Sequence, residues 1–281
     1  MSDYPELAAA DAYCRLLARR HYENFSVASR LLPAPVRLDL ARVYAYCRVT
    51  DDLGDESGGA ASDRLARWRG DVEALFAGRA PVHPVLVALR ETVSRHALPA
   101  RPFLDLIEAN VHDQRVTVYD TWPELEAYCA LSAASVGRVV LRLLGIHEPE
   151  AERLSDDVCT GLQLANFAQD VAGDAARGRC YLLGPELARL GVAGAVRAHC
   201  ERSRQLLASG VELERLTSGR PRIQLSLYRL GGQAIVDAIE RAGWRTDRVR
   251  PRVAAPARAA LVARAAAGLR GGRHVGSLGT A

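Results

Sequence analysis

The chain has 281 residues, of which 49% are hydrophobic and 25% charged. This balance excludes a largely disordered chain, which could not bury enough apolar surface to offset the entropy of ordering. The formal net charge is +4, but its distribution is uneven. From Arg241 to the end there are nine arginines and one acidic residue, whereas the first 240 residues are net acidic. A basic tail on an acidic body is not typical of a nucleic-acid-binding protein, so we expect no nucleic-acid partner.

The chain ends and the cysteines indicate a cellular location. The N-terminal segment begins with acidic residues and has no continuous apolar core, so it does not resemble a signal peptide. No stretch approaches the roughly 18 uncharged apolar residues that a spanning helix needs. The six cysteines are at least 20 residues apart and favour a reducing compartment. We predict a cytoplasmic protein, and two interpretations of its Arg-rich tail stay open: peripheral contact with an anionic membrane, or a solvated terminus.

Apolar residues recur at helical spacing along almost the whole chain, and no segment alternates as a strand would. In chain order, the predicted helical segments are the one after Pro35, those around residues 65–76, 85–93 and 103–111, and the long runs 122–145, 149–173, 192–217 and 221–242. Glycine and proline separate them, and no linker is long enough to divide two cores. The sequence therefore predicts an all-α protein with one helical domain over residues 1–253. A basic, low-complexity C-terminal tail is predicted over residues 254–281.

A first group of acidic residues lies at the end of the segment after Pro35. Asp51 and Asp55 are four residues apart and share a helix face, with Asp52 beside them. Acidic residues near a helix C-terminus repel one another and the helix dipole, so a positive partner is expected. Arg48, one turn before Asp52, is one candidate. The other is Mg²⁺, which prefers carboxylate oxygens and keeps water and substrate phosphate as its remaining ligands.

A second polar row lies in the run 149–173 and just beyond it. Asn166, Asp170 and Asp174 are spaced four and four, which places them along one face of a helix. Two such acidic helices can face each other across a cavity and hold Mg²⁺ against a diphosphate. The pair of rows therefore predicts an oxygen-ligand metal site, in preference to unrelated surface acids.

The segment Arg177-Gly-Arg179-Cys-Tyr181 follows the second row directly. We expect the helix to end at Gly178, so that Arg179 and Tyr181 can fold back over the cavity mouth. Arginine is suited to bidentate phosphate recognition. The alternative is a helix C-terminus that carries arginines because they complement its dipole.

Together these motifs resemble the squalene/phytoene synthase family, the head-to-head isoprenyl synthases, over roughly residues 20 to 250. The resemblance rests on Tyr44-Ala-Tyr-Cys-Arg48 with Asp51-Asp52 and Asp55, on Tyr128-Cys129 with Ser135-Val136-Gly137, on Asn166, Asp170 and Asp174 with Gly178-Arg179-Cys-Tyr181, and on the segment around Tyr228. It implies an all-α isoprenoid synthase bundle with a central cavity, an isoprenyl diphosphate substrate and Mg²⁺ as cofactor. The oligomeric state is left open.

Other segments resemble the bacterial hydroxysqualene synthase branch of this family. They are Glu23-Asn24-Phe25, Leu31-Leu32-Pro33, Leu106-Ile107-Glu108-Ala109-Asn110, Asp113-Gln114 and Arg250-Pro251-Arg252. This resemblance implies that presqualene diphosphate is ionised and the cation is trapped by water, without NADPH. Ala134-Ser135 and Leu182-Leu183 depart from the branch pattern. A prenyltransferase with an aromatic acceptor, and a condensing synthase of the squalene or phytoene type, are therefore kept as alternatives.

The resemblance and the acidic rows together give the candidate site. The candidate metal ligands are Asp51, Asp52, Asp55, Asn166, Asp170 and Asp174. The candidate substrate-binding residues are His21, Phe25, Arg48, Gln163, Arg179, Tyr181 and Tyr228. The candidate catalytic residues are Tyr44, Asp51, Asp55, Tyr128, Asp170 and Asp174. For the aromatic residues, simple core packing is an equal alternative, and His21 could be an ordinary surface histidine.

Two readings from other classes complete the alternatives. One is a helical binding protein that has lost catalysis. The presence of both acidic rows argues against this alternative. The other is a membrane-surface adaptor that uses the Arg-rich tail.

Overall fold

The computed structural model describes residues 3–20, 31–55 and 60–271. Within these ranges the chain forms twelve α-helices, one π-helical turn and no strand, as the periodicity predicts. The helices are α1 (Asp3–Arg20), α2 (Ala34–Asp55), α3 (Ala61–Phe76), α4 (Pro84–His96), α5 (Arg101–His112), α6 (Trp122–Cys129), α7 (Ser135–Leu143), α8 (Pro149–Gln169), α9 (Val171–Ala176), α10 (Gly184–Arg215), α11 (Gly219–Arg241) and α12 (Ala255–Gly271). The prediction of an all-α fold is confirmed.

The helices pack around several apolar cores, and two of them show how the N-terminal and C-terminal parts of the chain are held together. The first core contains residues of the five helices α1–α5 and of α7, packed around Tyr46, Trp68 and Phe103. The Tyr46 hydroxyl donates a hydrogen bond to the Phe103 carbonyl oxygen at 2.8 Å. The second joins α7, α8, α10 and α11 around Leu154 and Leu207. Helices α8 and α10 form the most extensive pair of the fold. A cavity lies among α2, α5, α6, α7, α8, α10 and α11, and both cores contribute to its walls.

The C-terminal end of α2 is held against α5 by a close approach. A Cβ atom at Gly54 would lie 2.3 Å from the Asn110 Oδ1 atom, so no larger side chain fits without movement. Gln114 adds a hydrogen bond from its Nε2 atom to the Gly54 carbonyl oxygen at 2.9 Å. These contacts fix the turn of α2 that carries Asp51 and Asp55.

The run predicted as one helix over 149–173 is interrupted in the structure. Helix α8 ends at Gln169, and Asp170 has non-helical dihedral angles (φ −104°, ψ 18°) before α9 begins. The Asp170 amide still donates to the Asn166 carbonyl oxygen, and the Asp174 amide to that of Asp170, each at 2.9 Å. The three predicted ligands therefore stay in one row, although the helix breaks at the middle one.

The predicted tail contains a helix as far as the structure describes it. Helix α12 packs on α11, and its Ala265 is buried beside Ile223 and Leu230. Alanine-rich sequence has high helix propensity, which explains a helix in a segment of low complexity. The division of the chain at residue 254 stays a prediction. Among the described residues, no helix is both long and apolar enough to span a bilayer.

Candidate active site

A cavity of about 510 Å³ lies at the centre of the bundle. This volume is within the range of small-molecule sites, about 300–1,000 Å³. The predicted site residues that line it are Tyr44, Arg48, Asp51, Asp55, Tyr128, Gln163, Asn166, Asp170, Asp174, Arg179, Tyr181 and Tyr228. Asp52 is not among the lining residues, and His21 and Phe25 lie outside the described part of the chain. The structure thus brings both acidic rows to one cavity.

The first row belongs to the last turns of α2. Asp51 accepts a hydrogen bond from the Asn110 Nδ2 atom at 3.2 Å. Burial raises the pKa of Asp51 to about 7, and the neighbouring charge of Asp55 adds to this rise. Because burial and a neighbouring negative charge oppose ionisation of Asp51, a cation beside it would stabilise its carboxylate form.

The second row comes from the end of α8 and from α9. Asp174 accepts a hydrogen bond from the Arg177 Nη2 atom at 2.7 Å, and Asp170 accepts one from the Arg250 Nη2 atom at 2.8 Å. Burial raises the pKa of Asp174 to about 6, with a further contribution from Asp170. In this row Asp174 is therefore buried beside like charge, whereas Asp170 is half-buried and Asn166 is exposed.

Arg179 reaches from the segment after the second row to the first row. The chain turns at Gly178, which has a left-handed φ of 73°, so that Arg179 leaves the end of α9 toward α2. Its Nη1 atom lies 2.7 Å from the Asp55 Oδ1 atom. The expected turn of this segment back over the cavity mouth is seen, and it places a guanidinium between carboxylates from distant parts of the chain.

Asp52 occupies a different position from the other acids. It forms an ion pair with Arg48, one turn earlier on α2. The sequence left open whether Arg48 pairs with Asp52 or Mg²⁺ holds this region. In the structure Asp52 forms the ion pair with Arg48, whereas Asp51 and Asp55 line the cavity, where a metal ion could bind them.

The donor set at the mouth has the chemistry that Mg²⁺ prefers. It consists of carboxylate and amide oxygens, and two of the carboxylates have raised pKa values because they are buried near like charge. No group of three or more acidic, His or Cys side chains within the described ranges is close enough to hold a metal alone. A set of oxygen ligands that is divided between two rows fits Mg²⁺, which usually takes one or two carboxylates and completes its coordination shell with water and substrate phosphate.

An aromatic cluster with a buried carboxylate forms the adjoining wall. Tyr128 and Tyr181 both donate to Asp113, at 2.7 Å and 3.0 Å. Phe167 stacks on Tyr181 with ring centroids 4.0 Å apart. Tyr181 was predicted to bind phosphate, but here its hydroxyl is directed to Asp113. From the sequence, Asp113 was placed near the cavity only by the family resemblance and was given no role. Its position at the end of the amphipathic α5 is the signal that indicates a buried side chain.

The rest of the cavity is long and mainly apolar. Ser155 lines it 15 residues before Asp170, which corresponds to roughly 20 Å along a helix. Val43, Val136 and Leu213 contribute apolar surface between these ends. Gln224 is 2% exposed, lines the same cavity, and its Oε1 atom has no hydrogen-bond partner within the described part. A molecule with a charged head and a long apolar chain fits this shape.

Two further residues at the site could not be assigned a role from the sequence. Asn110 orients Asp51, and Arg250 pairs with Asp170 across 80 residues of chain. Both lie in segments whose sequence indicates only the hydroxysqualene synthase branch of the family resemblance. Their contacts depend on how helices pack, which spacing within one segment does not reveal.

The family model for squalene/phytoene synthases matches residues 18–258. Among solved structures, the chain is similar to squalene synthase HpnC from Alicyclobacillus acidocaldarius. The two are 42% identical with a TM-score of 0.78, over 85% of this chain and 96% of that one. A dehydrosqualene synthase solved with a ligand has a TM-score of 0.85 over 96% of this chain and 100% of that one. Its identity is only 20%, so this likeness concerns the fold.

The curated relatives of the chain include phytoene synthases. The chain is 32% identical to that of Arthrospira platensis, over 62% of this chain and 61% of the relative. It is 33% identical to chloroplastic phytoene synthase 3 of Zea mays, over 67% of this chain and 46% of the relative. The match thus spans about half to three fifths of the length of these relatives.

Proposed function

The chain belongs to the squalene/phytoene synthase family, and we propose that it is an enzyme that ionises a prenyl diphosphate and controls the resulting carbocation. The observation that carries the proposal is the position of two carboxylate rows at one end of a long apolar cavity. The rows suit the diphosphate head, and the cavity suits the prenyl chain. The substrate's charge and its hydrocarbon would therefore occupy separate regions.

In this proposal, Asp51, Asp55, Asn166, Asp170 and Asp174 would hold Mg²⁺, which when bound supplies positive charge to the departing diphosphate. These residues fit the ion because all of them offer oxygen and none is part of a complete protein cage.

The chain's own arginines would bind the diphosphate. Arg179 reaches over the mouth to Asp55, and Arg177 and Arg250 pair with the second row. A guanidinium can bind phosphate oxygens in a bidentate manner and stabilise the charge that develops on a leaving group. Arg48 lines the cavity beside Asp51 and would serve in the same way.

The carbocation would be held by the aromatic wall. Tyr44, Tyr128, Phe167 and Tyr228 line the cavity, and the faces of aromatic rings attract cationic charge. Apolar side chains elsewhere would exclude bulk water, so that the cation meets only the partner that the cavity admits. The product then depends on that partner.

For the specific reaction, we propose presqualene diphosphate as substrate and hydroxysqualene as product, formed by capture of one water without NADPH. The support is the 42% identity with squalene synthase HpnC over nearly its whole length, together with the branch segments around Asn110, Asp113 and Arg250. A cation trapped by water requires no hydride.

A second reaction has support of its own. The curated relatives include phytoene synthases, which favours condensation of two prenyl diphosphates in the same cavity. Transfer to an aromatic acceptor is kept as a further outcome of the test.

We also propose that the enzyme is cytoplasmic and that its Arg-rich tail contacts the membrane surface peripherally. Co-sedimentation of the full chain with anionic liposomes tests this contact.

Product analysis distinguishes these reactions. The purified protein is incubated with Mg²⁺ and, separately, presqualene, farnesyl, geranylgeranyl and dimethylallyl diphosphates, the last with aromatic acceptors. In ¹⁸O-water we expect that, of these substrates, only presqualene diphosphate gives hydroxysqualene, and that its hydroxyl carries one labelled oxygen from the water. A condensed C30 or C40 hydrocarbon, or a prenylated aromatic compound, would instead support one of the alternatives.

A further inference from the structure

The ionisation step proposed above leaves one buried carboxylate of the cavity without a role. Asp113 follows α5, is 9% exposed and lines the cavity. The Tyr128 hydroxyl donates to its Oδ2 atom at 2.7 Å, and the Tyr181 hydroxyl donates to its Oδ1 atom at 3.0 Å. Each carboxylate oxygen is thus connected to a phenol that itself lines the cavity.

The surroundings of Asp113 differ from those of the carboxylates at the mouth. Asp55, Asp170 and Asp174 each form an ion pair with an arginine. No ion pair to Asp113 occurs in the part of the chain that the structure describes, so its charge is balanced mainly by hydrogen bonds.

The titratable and charged groups that face Asp113 come from several elements. They are His112 on α5, Tyr128 on α6, Arg179 and Tyr181 after α9, and Tyr119 before α6. Burial raises the pKa of Asp113, whereas the tyrosine hydrogen bonds and the charge of Arg179 partly oppose this rise. A buried carboxylate with a raised pKa takes up a proton more readily than an exposed one.

We infer that Asp113 accepts, through the hydroxyl of Tyr128 or Tyr181, the proton that is released when the carbocation is quenched. In the water reaction, an oxygen lone pair of water forms the new C–O bond, and one O–H bond of that water breaks. The proton passes to the phenol oxygen, whose own proton moves to Asp113. The products are an alcohol and a neutral carboxyl group, so the step needs no oxidant or reductant.

The inference rests on the proposed function but concerns the step after ionisation. If the cation loses a proton from carbon instead of capturing water, the same acceptor would receive it. Tyr128 and Tyr181 act as catalytic residues in either case. Asp113 sets the direction of their hydroxyls and takes the proton that they relay.

The test compares two quantities measured with presqualene diphosphate and Mg²⁺, the diphosphate released and the hydroxysqualene formed, and their quotient is the product-to-diphosphate ratio. In the wild type we expect about one product per diphosphate. In Asp113→Asn, which keeps the shape but cannot take the proton, diphosphate release should persist while the product-to-diphosphate ratio falls at least tenfold. The cation then ends as rearranged alcohols or alkenes, and its proton goes to released diphosphate or to solvent. General acid–base catalysis typically contributes about 10²–10⁴-fold, so a loss of this size is measurable.

The pH dependence separates proton transfer from a structural role. In the wild type the product-to-diphosphate ratio should fall as the pH falls through the pKa of Asp113, because only the ionised carboxylate accepts a proton. In Asp113→Asn the ratio should no longer depend on pH.

Two further variants keep the test decisive if Asp113→Asn fails to fold. The double variant Tyr128→Phe/Tyr181→Phe removes both relays and should lower the ratio to the same extent. Tyr119→Phe is the matched control, because the Tyr119 hydroxyl lies in the same aromatic cluster, lines no part of the cavity and has no hydrogen-bond partner within the described ranges.

A wild-type ratio and pH profile in either folded variant, Asp113→Asn or the double variant, would overturn the inference. The proton would then go to released diphosphate or to solvent, and the proposed function would stand. Absence of any diphosphate release by the wild type would overturn the proposed function and the inference with it.

Discussion

Single charged residues decide what the mouth of the cavity can bind. Asp51 and Asp55 lie on α2, Asp170 lies at the helix break, and Asp174 lies on α9 beyond it. Arg179 contacts the first row from beyond the second. Each carboxylate that is paired with an arginine is held in a fixed place. A diphosphate that enters with Mg²⁺ would exchange these contacts, with the guanidinium groups turning to phosphate oxygens.

Removal of one carboxylate from either row should abolish turnover. We expect Asp51→Ala and Asp170→Ala to lose at least about 100-fold in kcat, because a developing diphosphate charge would lose a metal ligand. The measurement is the steady-state rate of diphosphate release, with far-UV circular dichroism to confirm the fold. Asp237→Ala is the control, since Asp237 is an exposed acid on α11 away from the cavity. Rates within tenfold of the wild type, about 1.4 kcal/mol of barrier, would contradict the assigned role.

At the scale of helices, the close approach of α2 to α5 sets the geometry of the first row. A Cβ atom at Gly54 would displace the Asn110 side chain, which hydrogen-bonds to Asp51. We expect Gly54→Ala to lower the free energy of unfolding by about 1–3 kcal/mol, the usual cost of overpacking, and to reduce activity as well.

The matched control for this change is Gly70→Ala. Gly70 is exposed in the interior of α3, and a Cβ atom there meets nothing within 4 Å. Alanine at this position should raise the free energy of unfolding by about 0.5–1 kcal/mol through higher helix propensity. Urea denaturation measures both changes, and equal stability of the two variants would show that α2 and α5 are not tightly constrained.

Helix α10 supports Tyr181 through a buried histidine. The two ring nitrogens of His199 lie 3.0 Å from the carbonyl oxygens of Ala195 and Tyr181. Burial lowers the pKa of His199. An unfolded histidine binds its proton near pH 6.5, so below that pH the unfolded state holds more protons and the free energy of unfolding falls.

This sign gives a testable pH dependence. Between about pH 7.5 and about 5.5, the free energy of unfolding of the wild type should fall more than that of His199→Gln, by at most roughly 1.4 kcal/mol per pH unit. Urea denaturation at each pH measures the difference. Parallel curves for the two proteins would mean that His199 takes up its proton equally well in both states.

For the whole molecule, the sequence predicted the helical fold and the meeting of the two acidic rows. Both follow from local information: apolar spacing identifies helices, and acids four residues apart share a helix face. The break at Asp170 was not predicted, because neither glycine nor proline marks it. His21 and Phe25 lie outside the described residues, and their roles stay predictions.

Contacts between distant segments could not be predicted. Arg179 pairs with Asp55 across 124 residues, and Arg250 pairs with Asp170 across 80. Tyr181 is directed to Asp113, although its position beside the acidic row suggested a phosphate ligand. In each case the partner is decided by how whole helices pack, which no single motif contains.

The central claim is that the two rows, together with Mg²⁺, ionise a prenyl diphosphate in this cavity. Its most direct test is the rate of diphosphate release from presqualene diphosphate by the full chain, before EDTA treatment, after removal of all metal, and after Mg²⁺ is restored. We predict that release stops in the metal-stripped protein and returns with Mg²⁺, because the carboxylates alone would repel the substrate. Release at the full rate without metal would contradict the claim.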